Sequence, residues 1–121
     1  MSGLYMTPAR GTYEWLKKSA SVTPDGYLDN HTHAHIDKAT GNIMVKLYDT
    51  DILQVLPSNV AVLQTGGFFT SLTRRRINEL LPAGVAIKQV EGSWWLAANN
   101  GIFPYRNGMM VDCDTGRVVN Q

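Results

Sequence analysis

A chain of 121 residues with 44% hydrophobic and 17% charged side chains suits one compact domain and is too apolar to be an extended disordered polypeptide. Eleven Lys and Arg against ten Asp and Glu leave a net charge of +1, which is not the strongly basic balance of a dedicated nucleic-acid binder, so any basic surface has to be local. The single cysteine, Cys113, has no partner for an internal disulfide and points to an intracellular setting.

Residues 1–11, "MSGLYMTPARG", lack the apolar run of a signal peptide, and no stretch reaches the ~18 consecutive apolar residues of a membrane span. The segment "TPARGTYEWLKKSA" predicts a short helix capped by Thr7 or Thr12, with Tyr13, Leu16 and Ala20 as its buried stripe. "SVTPDGY" then reads as a turn. Residues 1–27 are therefore expected to form an arm with a short helix, laid on the core or on a neighbour, and 28–121 an α+β core domain.

From residue 43 the pattern alternates with a period of two. "IMVKLYDTDILQVL" predicts one strand, "PSN" a turn and "VAVLQTGGF" a second strand, with Gly66 and Gly67 marking a bulge or sharp bend. A helix is expected from about Ser71 to Leu81, ended by "PAG". Strand segments follow in "VAIKQVE", "WWLAA", "IFPYR" and "MMVD", separated by turns that include the hairpin signal Asn107-Gly108. Pro104 places its strand at an edge. The predicted order is β-β-α-β-β-β: about five antiparallel strands in one sheet, packed on one central helix.

The helix carries three consecutive arginines. At ~100° per residue, Leu72, Thr73, Arg76, Ile77, Leu80 and Leu81 share one side, and Ser71, Arg74, Arg75, Asn78 and Glu79 the other. Arg76 then faces the core and calls for a carboxylate such as Asp49 or Asp51, or a snorkelling stem. Arg74 and Arg75 face outward, against a helix dipole that disfavours cations at this end by about 0.3–1 kcal/mol each. Arg75 and Glu79 would pair in the less favourable order. A solvated polar face is the simple reading of this side. The functional reading combines Ser71, Thr73, Arg74 and Arg75 into a surface for a phosphate or an acidic partner, without the spacing of a phosphate-binding loop.

"HTHAHID" gathers His31, His33 and His35 with Asp37 in phase. On a strand these four share one face and could ligate a divalent metal, or could simply form the polar side of an edge strand. Cys113 sits in "VDCDTG", where two aspartates blunt a thiol. No nucleophile elbow is present, and no catalytic residue is predicted. Trp94 and Trp95 must point to opposite faces of their strand. Trp94 is assigned to the core. Trp95 is assigned to the far side, where it is covered by Tyr13 and Trp15 of the arm or by a second subunit, or binds a partner together with Lys88.

The segments "VKLYDTDILQVLPSNVAVLQTGGFFTSLTRRRIN", "GSWWLA" and "PYRNGMMVD" resemble a widespread group of small uncharacterised bacteriophage proteins. The shared pattern places Asp49, Thr50 and Asp51 in an Asn/Asp-Thr-Asp step. It continues through Thr65, Gly66, Gly67 and Phe68, a helix start at Thr70 and Thr73 leading to Arg76-Ile77-Asn78, then Gly92 and Trp94, and ends in Pro104, Gly108 and Met109. Asp for Asn at 49, Gln at 64, Phe for Trp at 68 and Tyr at 105 depart from it. The resemblance implies a phage protein acting in the cytoplasm of an infected host, with Asp51, Arg76, Gly66, Gly67 and Trp94 as architecture. The functional expectation is a non-catalytic binding module or inhibitor of a host or anti-phage defence component. Nucleic-acid binding through Arg74, Arg75 and Lys88, and metal-dependent hydrolysis through the histidine stretch, are the alternatives, and a homo-oligomer is compatible with each.

Overall fold

The computed structural model describes residues 10–120. Helix α1 spans Tyr13–Val22 and opens on Thr12, whose hydroxyl accepts from the Trp15 amide. Leu16 is fully buried in the core, while Tyr13 and Ala20 are half-buried beside it. Thr7, the other cap considered, lies outside the described residues. The Tyr13 hydroxyl donates to the Gly41 carbonyl at 2.7 Å, and α1 packs against β2 (Thr32–Ile36) and β3 (Ile43–Leu47). "PDG" forms the expected turn, with Asp25 and Gly26 both left-handed, and leads into β1, Tyr27–Asp29.

The long segment 43–56 is not one strand. It folds back on itself as β3 and β4 (Thr50–Val55), joined by Tyr48 and Asp49. Tyr48 adopts φ 55° and turns the chain without a glycine, which hid the hairpin from a reading based on Gly and Asn signals. A register shift between Val45 and Lys46 buries both Ile52 and Leu53, adjacent residues that strict alternation would have split. After "PSN", where Asn59 takes φ 68°, comes β5, Val60–Leu63.

Helix α2, Ser71–Leu80, buries Thr73, Arg76, Ile77 and Leu80, as the helical wheel requires. Strands β6 (Ala86–Val90), β7 (Ser93–Ala98) and β8 (Gly101–Pro104) form a separate meander, with β8 and its Pro104 on the outside. Short strands β9 (Met110–Asp112) and β10 (Arg117–Val118) return to the first sheet. The described residues thus hold two helices and ten strands in two antiparallel sheets, one ordered β1-β2-β3-β4-β5-β9-β10 and one β6-β7-β8. This corrects the single sheet of about five strands around one helix. The α+β class stands.

Helix α2 contacts both β4 and β6 and so ties the sheets together. Asn78, assigned by the wheel to the outer side, performs part of that work. Its side-chain oxygen accepts from the Ile87 amide at 2.7 Å and its nitrogen donates to the Ile87 carbonyl at 2.9 Å, so one amide group completes the backbone pairing of β6.

Candidate functional site

The site is built where the β3–β4 turn meets the segment entering α2. Thr65 is fully buried. Its amide donates to the Asn107 side chain at 3.0 Å, and its hydroxyl accepts from the Gly67 amide at 3.1 Å. These bonds fix Gly66 and Gly67 in left-handed conformations, φ 62° and 89°. A Cβ on Gly66 would stand 2.6 Å from the Thr50 Cγ2, so glycine is what lets this loop lie against β4. Thr70 then caps α2, accepting from the Thr73 amide and donating to its hydroxyl.

Between these elements opens a cleft of about 410 Å³, lined mostly by apolar surface and including Leu47, Ile52 and Leu72, with Asp49, Thr50, Thr65, Thr70 and Thr73 as its polar lining residues. Two large rings stand exposed among its lining residues: Tyr48, 58% exposed, and Phe68, 59% exposed. Tyr48 is held in place. Its amide donates to the His31 carbonyl at 2.7 Å, and its ring stacks on the His31 imidazole at 4.3 Å and 13°. Both residues occupy the left-handed region, His31 at φ 57°. Two side-chain-bearing residues in that region store strain of order 1–3 kcal/mol each, which the surrounding contacts maintain.

The next aromatic, Phe69, turns the other way. It meets Trp94 edge-on at 5.1 Å and Tyr105 at 6.3 Å, and Trp94 lies 5.6 Å from Tyr105. Arg74 joins this cluster. Its guanidinium sits 5.9 Å above the Trp94 ring and hydrogen-bonds the Gln89 side chain on β6. Arg75 and Ser71 are exposed on α2, and Thr73 is buried within the cap. The structure therefore separates the residues expected to form one basic helix start: Arg74 leans toward the second sheet and Arg75 points to solvent. Lys88 is exposed and pairs across the ladder with half-buried Trp95 on the outer face of β6-β7-β8. Tyr13 and Trp15 do not cover Trp95. Tyr13 belongs to the β2–β3 side of the molecule, and Trp15 stacks under Arg10 at 5.1 Å.

Arg76 is 8% exposed, but its partners are not those expected. Its Nη1 reaches Asp29 Oδ2 at 3.0 Å and Glu79 Oε1 at 2.9 Å, so Glu79 also pairs with Arg76 rather than Arg75. Asp51 instead faces Lys46, with Nζ 3.2 Å from Oδ1 and outside hydrogen-bonding angles. Asp49 lies at the cleft.

The histidines are spread. The strand begins at Thr32, so only His33 and His35 share its face. His31 is in the turn against Tyr48, and His33 meets the Tyr27 ring edge-on at 5.7 Å. The Asp37 carboxylate accepts from the Ala39 amide and the Thr40 hydroxyl within its own turn. Among the described residues no group of three or more His, Cys, Asp and Glu side chains is arranged to hold one metal ion. Cys113 is buried, and burial first, then Asp112 and Asp114, pushes its thiol up to about 11. Little thiolate then exists at neutral pH. Native-state alkylation at pH 8 is expected to be at least about tenfold slower than for the urea-unfolded chain and to accelerate toward pH 11, as followed by mass spectrometry.

The family model described as Kyanoviridae Gp96 protein matches residues 17–112, well over half of the chain and the whole of the cleft. The chain belongs to this phage protein family. No curated protein and no solved structure matches. Membership of the Kyanoviridae Gp96 family agrees, at the level of a phage protein, with the resemblance carried by the Thr65–Phe68 and Arg76–Asn78 segments. None of the helices among the described residues is long and apolar enough to cross a membrane.

Proposed function

We propose that this member of the Kyanoviridae Gp96 family is a non-catalytic binding module that grips a protein of the host or of its anti-phage defences, in the host cytoplasm, through the cleft beside Tyr48 and Phe68. One observation carries the reading. Two exposed aromatic rings belong to an apolar cleft, and one is kept there by a left-handed backbone and a stacked histidine. Aromatic side chains presented on rigid backbone lose little entropy on binding and dominate protein interfaces. Asp49 and the Thr50 hydroxyl would supply the polar contacts that fix orientation.

The test removes the rings without unmaking the turn. Asn tolerates the left-handed region, so Tyr48→Asn combined with Phe68→Ser should leave thermal unfolding close to wild type. Nuclease-treated lysate of the natural host is passed over each immobilised protein. Loss of two interface anchors, each contributing about 2 kcal/mol or more, should weaken capture of the partner by a hundredfold or more. Equal capture by the two proteins would overturn the proposal.

A further inference from the structure

A second groove, of about 420 Å³, opens at the end of the smaller sheet, on the other side of the Phe68–Phe69 pair from the cleft. It is lined by Phe69, Gln89, Trp94, Trp95, Pro104 and Tyr105, with Gly92 and Ser93 in the β6–β7 turn region. It is not a packed remnant of the core. Phe69 remains 55% exposed, Trp95 and Tyr105 are half-buried, and Pro104 is exposed. Only Trp94 is buried, forming the floor.

The rings stand at steep angles to one another: 70° between Phe69 and Trp94, 77° between Phe69 and Tyr105, and 59° between Trp94 and Tyr105. This edge-to-face arrangement holds the cluster together while leaving ring surface facing outward. Cations flank it. Arg74 lies over the Trp94 ring and bonds Gln89, a neutral partner, so its charge is not cancelled. Lys88 and its cross-strand neighbour Trp95 share the opposite face of the sheet from Trp94, while the exposed Arg75 follows Arg74 on α2. Against the two arginines, strands β6 to β8 and their turns bring one acid, Glu91. Glu79, on the same helix, is engaged with Arg76.

Aromatic rings with free faces, interleaved with uncancelled cations and an amide side chain, match unpaired bases on a phosphate backbone. Bases stack on rings regardless of sequence, and the phosphates meet the cations. An acidic peptide would satisfy the cations but not the ring faces, and a purely apolar peptide would leave Arg74 and Arg75 facing it. We propose that this groove binds single-stranded nucleic acid, with bases stacking on Phe69 and Tyr105 and phosphates held by Arg74 and Arg75. This second site is separate from the Tyr48–Phe68 cleft and does not depend on the reading given for it.

The experiment is a titration of the full chain with fluorescein-labelled oligo-dT and oligo-rU of about ten nucleotides, read by anisotropy and by quenching of tryptophan fluorescence. Saturable binding of either probe is expected at 50 mM salt, and the relative affinity of the two distinguishes DNA from RNA. Two phosphate contacts on a single strand give a log–log salt slope near −1.4, so 200 mM salt should weaken binding roughly sevenfold. Phe69→Ala should weaken it at least about fivefold through lost stacking. Arg74→Gln with Arg75→Gln should flatten the salt slope, while Lys38→Gln in the distant β2–β3 turn should change neither. Tyr48→Asn with Phe68→Ser should bind the oligonucleotides like wild type, which separates this result from the fate of the cleft. No saturable binding at 50 mM salt, or binding that Phe69→Ala leaves unchanged in a protein whose melting is intact, would overturn the proposal. So would a groove that takes up an acidic peptide in preference to both oligonucleotides.

Discussion

Arg76→Ala is expected to lower the unfolding free energy by about 2–4 kcal/mol, whereas Arg76→Met should stay within about 1 kcal/mol of wild type. Two effects are lost in the alanine variant. The guanidinium gives up its bonds to Asp29 and Glu79, and the buried part of the stem leaves a gap between α2 and the sheet. Methionine restores the stem and abandons only the ion pairs. Those pairs contribute less than their short distances suggest, because Asp29 and Glu79 are each 39% exposed at the side chain and regain water when the cation is removed. No buried carboxylate is left unpaired, which is the condition that makes breaking an ion pair expensive. Arg76 Nε is itself buried with no hydrogen-bond partner, a cost that methionine removes. Urea unfolding of the two variants decides the matter. If methionine is as damaging as alanine, the triad of charges holds α2 to β1, and the aliphatic stem does not.

The identity of those partners marks the boundary of what the sequence could reveal. The helical wheel put Arg76 inward because it depends only on neighbours three and four residues away, and Thr73, Ile77 and Leu80 are buried beside it. Choosing Asp29 over Asp49 or Asp51 depends on β1 lying next to α2, a contact 47 residues apart that no local pattern encodes. The same division runs through the fold. Period-two alternation found β5 and β7, and the helix start was visible in Thr70 and Ser71. The β3–β4 hairpin escaped because its turn uses Tyr48 in a conformation normally left to Gly or Asn. The second sheet escaped because strand patterns do not say which strands pair.

Several asparagines were unreadable for a related reason. Asn59 accepts from the Tyr13 amide and donates to Asp114, Asn100 bonds the Val118 backbone twice, and Asn107 holds the Thr65 amide. Each carries one donor and one acceptor group like a peptide, but composition alone does not tell which distant backbone it will complete. The cleft was half legible. Gly66, Gly67 and Thr73 were singled out for the arginines nearby. Phe68 was noted as part of the family pattern, but the exposed Tyr48 that stands with it in the cleft drew no attention, because exposure of a single aromatic is a property of the assembled surface.

Gly66→Ala should cost about 2–4 kcal/mol and weaken the partner capture proposed for the cleft, and Thr50→Ser in the same chain should return much of both. The alanine meets two penalties. At φ 62° a Cβ crowds the following carbonyl, worth about 1–2 kcal/mol. That Cβ also falls 2.6 Å from the Thr50 Cγ2, closer than carbon atoms can approach, so the 65–67 loop or β4 must move at a further cost of about 1–3 kcal/mol. Serine lacks the Cγ2 and removes the second penalty while leaving the first. Gly67→Ala supplies the comparison. Its φ is 89°, but a Cβ there meets nothing within 4 Å, so it should show backbone strain alone and leave the cleft wall in place. Thermal or urea unfolding of Gly66→Ala, Thr50→Ser and the double variant forms a cycle with an expected coupling of about 1–2 kcal/mol. A coupling near zero would mean that the loop relaxes away from β4 freely, and then the cleft it borders is too soft to present Phe68 at the fixed position that binding a partner requires.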